Sequence, residues 1–135
     1  MGEKIFFHGS VPRNTALQAM NDADVLVNIG NSNPYQEPSK VIEYASTGKP
    51  IINIMSIKDD SSASLLAHYP SLFNVSYESK EQLHEITSQL VQFLASPPTV
   101  DTNTLEAWLN PYRIESIVDN YKSMLNAKSS DILSN

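Results

Sequence analysis

The sequence has no cysteine, only 4 glycines, and 9 Lys and Arg against 15 Asp and Glu. Without cysteine there is no disulfide framework, no thiolate metal site and no cysteine nucleophile, which fits a reducing compartment. A cytoplasmic location is therefore expected. The formal net charge of -6 would repel a phosphate backbone, and no cluster of Lys and Arg offsets it, so nucleic acid is not an expected partner. No apolar run approaches the roughly 20 residues that a membrane span needs. Met1 and Gly2 lead almost directly into Ile5-Phe6-Phe7, without the charged and apolar regions of a signal peptide. No serine lies in a G-x-S-x-G turn. His68 and His84 have no acidic or histidine partner at ligand spacing, and Asp59 and Asp60 read as a solvated loop, so no metal is expected.

What is present reads as one domain. The length of 135 residues, with 41% hydrophobic and 18% charged residues, is enough to bury a core unaided. An opening in mid-strand suggests a piece cut from a longer protein. Ile5 to His8 reads as a short buried strand, with Gly9 turning the chain into a helix over about Asn14 to Asp22 that Asn14 or Thr15 can cap. Asp24 to Ile29 is rich in Val and Ile without alternation, as expected for a parallel strand covered on both faces. Further strands are predicted over Pro50 to Met55 and, more weakly, Leu72 to Val75, with a short helix between them over Ser64 to Tyr69. Ser79 and Gln82 form a capping-box pattern ahead of an amphipathic helix carrying Leu83, Ile86, Leu90, Phe93 and Leu94. After the break at Ser96-Pro97-Pro98, terminal helices are predicted over Leu105 to Leu109 and Tyr112 to Leu125, where Trp108, Tyr112 and Tyr121 read as core packing. The domain spans residues 1–127, and the polar tail 128–135 is expected to fray. Alternating strands and helices argue for an α/β domain with a Rossmann-like parallel sheet flanked by helices. Such sheets bind ligands beyond the C-terminal ends of their strands.

One stretch, NPYQEPSKVIEYASTGKPIIN, is heavily punctuated. A helix from Pro38 to Thr47 has proline in its first turn, Gly48 at a left-handed C-cap and Pro50 just beyond. Val41, Ile42 and Ala45 fall on one face; Lys40, Glu43, Tyr44 and Thr47 fall on the other. Ser39 and Lys40 occupy the first turn, where free N–H groups and the helix dipole favour an anion such as phosphate. Glu43, one turn further on, would accept hydrogen bonds from hydroxyls such as a ribose diol. The alternative is that Lys40 and Glu43 form an ordinary i,i+3 surface pair.

The runs FFHGSV, ADVLVNIG and EPSKVIEYASTGKPII occur in that order between Ile5 and Ile54. Together they resemble the donor-binding C-terminal domain of retaining GT-B glycosyltransferases, the glycosyltransferase group 1 family. The resemblance implies an incomplete C-terminal half of a GT-B fold that binds a nucleotide-diphosphate sugar. It implies donor-binding roles for Glu43 at the ribose, and for Pro38, Ser39 and Lys40 at the diphosphate. Gly9, Ser10 and Val11 match the turn beside the base, and Asn28, Gly30 and Asn31 the loop beneath the sugar. His8, ending its strand beside this site, is a weaker candidate for ligand contact.

Two departures stand out. The family often carries a second acid eight residues before the ribose-binding glutamate; Tyr35 occupies that place and Glu37 is offset, so both are catalytic candidates. The earlier βα units and the acceptor domain are not in this chain, which implies a fragment inactive by itself. The expected partners are the nucleotide sugar, an N-terminal acceptor domain of the same protein, and a glycan or a lipid-linked acceptor near a membrane. Exposed sheet edges are expected to promote self-association. No cofactor or metal is expected beyond the donor substrate. Alternatives are a receiver-like interaction module, disfavoured because Asp24 opens its strand and Asn28 to Gly30 closes it, and a sugar-nucleotide epimerase of the same architecture.

Overall fold

The computed structural model describes residues 5–36, 39–76 and 80–132. In chain order the elements are α1 (Arg13–Asp22), β1 (Leu26–Ile29), α2 (Ser39–Ser46), β2 (Ile51–Ile54), α3 (Ser61–Leu65), β3 (Leu72–Val75), α4 (Lys80–Ala95), α5 (Thr102–Leu109) and α6 (Ile114–Ile132). The three strands form one parallel sheet in the order β1-β2-β3, flanked by helices. The domain is α/β and Rossmann-like.

In-register pairing sorts the side chains onto two faces, because successive residues of a strand point to opposite sides. Leu26, Ile51 and Leu72 align on one face; Val27, Ile52 and Phe73 align on the other. The first face carries the core, where Leu26 and Ile51 pack with Val41 and Ala45 of α2 and with Leu66 and Tyr69 beyond α3. Leu105 and Trp108 of α5 close over it. Full burial of Val41, Ile51 and Leu66 contributes about 1.5–3 kcal/mol per side chain. Burial also pushes the Tyr69 hydroxyl pKa up to about 12. That hydroxyl donates to the Lys49 carbonyl at 2.7 Å. Trp108 lies edge-on to Tyr69 with ring centroids 5.5 Å apart, and 5.0 Å from Tyr112, as core packing predicts. Tyr121 instead is exposed.

The second face is only partly covered. Phe93 of α4 meets Phe73 with centroids 5.4 Å apart, so the amphipathic helix does lie against β3. Among the described residues nothing comparable shields β1, where Val27 is 50% and Ile29 73% exposed. The predicted two-sided burial of this strand is therefore wrong: an edge strand without a helix over one face keeps that face in solvent.

Several other expectations are corrected. Ile5 to His8 forms no strand and is exposed, since apolar residues make a strand only where a neighbouring ladder accepts their backbone groups. The N-cap of α1 is Pro12, without a side-chain cap from Asn14 or Thr15. The far end of α1 is held instead by the Lys49 ammonium, which donates to the carbonyls of Met20, Asn21 and Ala23. α3 starts at Ser61 because Asp60 caps it, accepting from the Ala63 N–H at 2.9 Å. Asp60 is thus buried and not part of a solvated loop. α6 continues to Ile132, beyond Lys128 where fraying is expected; no glycine or proline interrupts its ladder. Ser79 of the capping box lies outside the described residues. Gly48 has φ +71° and closes α2 as its place predicts.

Candidate functional site

The first turn of α2 stands beside the C-terminal end of β1, where two clefts meet. One, of ≈ 490 Å³, is lined by Arg13, Met20, Leu26, Lys40, Glu43 and Tyr44, among others. The other, of ≈ 500 Å³, is lined by Asn28, Asn31, Gln36, Ser39, Lys40 and Tyr44, among others. Lys40 and Tyr44 belong to both walls. Three of the helix's polar-face residues and the first-turn serine thus border open space, while Val41 and Ala45 are buried beneath. Val41 and Ala45 follow the division that the helical spacing predicts; Ile42, expected beside them, is only half-buried, and Tyr44, expected on the polar face, also packs against the core.

Glu43 does not pair along its own helix with Lys40. Its Oε1 accepts from Arg13 Nη2 at 2.8 Å across the cleft. With the two side chains 78% and 45% exposed, the pair adds no more than about 1 kcal/mol to stability. Its consequence is positional: a second cation stands beside the carboxylate. Arg13 is the residue that the sequence reading missed. Its only local signal is its place at the start of a helix, and nothing nearby in sequence announces a partner 30 residues away.

The remaining predicted residues divide. Asn28, Asn31, Ser39, Lys40 and Glu43 line the two clefts. Gly30 lies between Asn residues of that wall; its N–H donates to the Ile54 carbonyl at 2.8 Å and its carbonyl accepts from Ser56 Oγ at 2.8 Å. Gly9, with φ +65°, and Ser10 and Val11 precede α1 and are exposed, on the walls of neither cleft. His8 is likewise exposed. Tyr35 lines a different hollow, of ≈ 650 Å³, with Asp59, Ser61, His68 and Tyr112, and is not brought together with Glu43. Glu37 and Pro38 lie outside the described residues.

Behind the second cleft runs a polar ladder. Asn28, Asn53 and Asn74 sit opposite one another on three adjacent strands. Asn28 Nδ2 donates to Asn53 Oδ1 at 2.7 Å, and Asn53 Nδ2 donates to Asn74 Oδ1 at 3.0 Å and to Asp60 Oδ1 at 3.4 Å. Asn53 and Asp60 are buried, and Asp60 Oδ2 has no hydrogen-bond partner among the described residues. A continuous apolar strand is what the PIINIM run suggests by pattern, so this buried asparagine is a departure with a reason: each of its polar groups finds a partner on a neighbouring element.

Among the described residues, no three His, Asp or Glu side chains come together to hold a metal ion. No described helix is long and apolar enough to cross a membrane. No family model, curated protein or solved structure matches the chain.

Proposed function

We propose that this chain is the donor-binding part of a retaining glycosyltransferase of GT-B architecture, and that the two clefts sharing Lys40 take a nucleotide-diphosphate sugar. The observation that carries the reading is the position of Glu43. It stands in the same cleft as Lys40, 2.8 Å from Arg13, one turn inside the start of α2. Two cations and the free N–H groups of a helix start favour a diphosphate. The Glu43 carboxylate, whose Oε2 makes no hydrogen bond to the described residues, has acceptor capacity left for a ribose diol.

In the complete enzyme, an acceptor-binding domain of the same protein would present a glycan or lipid-linked acceptor to the sugar. The fixed cations and helix dipole would stabilise charge developing on the departing diphosphate, which requires no metal. Glu43 binds and does not react in this scheme. The sequences FFHGSV, ADVLVNIG and EPSKVIEYASTGKPII support the assignment through their resemblance to the family.

The test is titration of the isotopically labelled chain with uridine and guanosine diphosphates, followed by NMR and calorimetry. Binding of one of them, with resonance shifts at Arg13 and over Ser39 to Glu43, is the expected result. Unmoved resonances at those positions and at Gly9 to Val11 would overturn the reading.

A further inference from the structure

The Asp60–Asn53–Asn28 relay ends at the second cleft, and its hydrogen-bond polarity can be traced from one end. Asp60 Oδ1 accepts the Ala63 N–H at 2.9 Å, so it is an acceptor. The Asn53 atom facing it must therefore be the donor Nδ2, since two acceptor oxygens at 3.4 Å would repel. Asn53 Oδ1 then faces Asn28, and Asn28 must answer with its own donor Nδ2, as the 2.7 Å contact records. What remains of Asn28 is the second N–H of Nδ2 and its carbonyl oxygen, Oδ1, which makes no hydrogen bond to the described residues while the side chain lines the cleft.

We infer that Asp60 is a positioning residue: through Asn53 it holds the Asn28 amide in one of its two orientations, with Nδ2 turned to Asn53 and the acceptor Oδ1 left for the ligand. The ligand group seated against Asn28 Oδ1 is then a hydrogen-bond donor, a hydroxyl or an amine. An asparagine free to rotate could exchange the two ends of its amide; burying a carboxyl seven residues past Asn53 removes that freedom. This deepens the nucleotide-sugar reading by dividing the site. Anionic groups belong with Lys40 and Arg13, and the hydroxyl-bearing part belongs with Asn28.

Two measurements test it, and the first needs no ligand. In the wild-type chain labelled with ¹⁵N and ¹³C, a through-hydrogen-bond coupling is expected from Asn28 Nδ2 to Asn53 Cγ. The opposite coupling, from Asn53 Nδ2 to Asn28 Cγ, overturns the inference. The second compares uridine diphosphate with uridine diphosphate glucose, and guanosine diphosphate with guanosine diphosphate mannose. Asn28→Ala and Asp60→Ser, the latter keeping an oxygen to cap α3, should each lower affinity for the sugar conjugate by about tenfold and leave that for the bare nucleotide unchanged. Equal loss for both ligands overturns the division of the site. If none of the four binds the wild-type chain, yet the expected coupling is present, the nucleotide-sugar reading fails and the polarity of the relay stands.

Discussion

Gly30 leaves the space that the buried carboxyl of Asp60 occupies: a Cβ placed on Gly30 would lie 1.9 Å from Asp60 Oδ2. The backbone of Gly30 has no positive φ, so the requirement is steric and not conformational. Gly30→Ala should destabilise the fold by about 1–3 kcal/mol, the usual range for overpacking. Adding Asp60→Ala in the same chain should recover part of that loss. Chemical denaturation of the two single variants and the double variant measures the coupling; strict additivity would contradict the contact.

Arg13 and Glu43 separate stability from binding. Because the pair is exposed, Arg13→Ala and Glu43→Gln should each shift unfolding free energy by less than about 1 kcal/mol. Each should nevertheless weaken nucleoside diphosphate binding by about tenfold, the scale of one charge-assisted hydrogen bond. Calorimetry alongside denaturant melts gives both numbers from one preparation.

Gly48 is a conformational requirement. At φ +71°, an added Cβ enters the left-handed region and also meets Leu105 Cδ2 at 3.4 Å. Gly48→Ala is expected to cost about 1–2 kcal/mol. A fall in the thermal midpoint with unchanged nucleotide affinity is the signature of a purely structural position.

Tyr69 makes stability depend on alkaline pH. Burial raises its folded pKa to about 12 from an unfolded value near 10. The unfolded chain therefore loses this proton first, and stability falls as pH rises from about 10 towards 12. The contribution is fully present below pH 10. Comparing wild type with Tyr69→Phe at pH 8 and pH 11 cancels the titration of other groups; the wild type should lose more stability between the two.

The outer edge of β1 is unpaired in the described sheet, with Val27 and Ile29 exposed beside it. Open apolar edges recruit other strands. Sedimentation is expected to show concentration-dependent association, suppressed by Ile29→Lys. A monodisperse wild-type monomer across the concentration range would contradict it.

The elements most readable from sequence were those whose signals are local. Gly48-Lys49-Pro50 marks a helix end because only glycine takes the left-handed cap easily and proline cannot continue the ladder. The PIINIM and LFNV runs become β2 and β3 because branched and aromatic residues suit a pleated, covered surface. The division of α2 into a buried Val41–Ala45 face and an open Lys40–Glu43 face follows from its 3.6-residue turn alone. These properties of a short segment needed no knowledge of its surroundings.

The pairing of Arg13 with Glu43, the burial of Asp60, the polarity of Asn28 and the exposed state of Ile5 to His8 had no such local signal. Each depends on what lies opposite in space: a cation 30 residues away, a glycine without a side chain, a neighbouring asparagine, or the absence of a ladder among the described residues. Outside Ile5 to His8, chain sequence determined which segments coil or extend and much of which faces are apolar. Only tertiary packing decided which polar groups met, because a hydrogen bond or an ion pair is a property of two positions, and the fold alone brings those positions together.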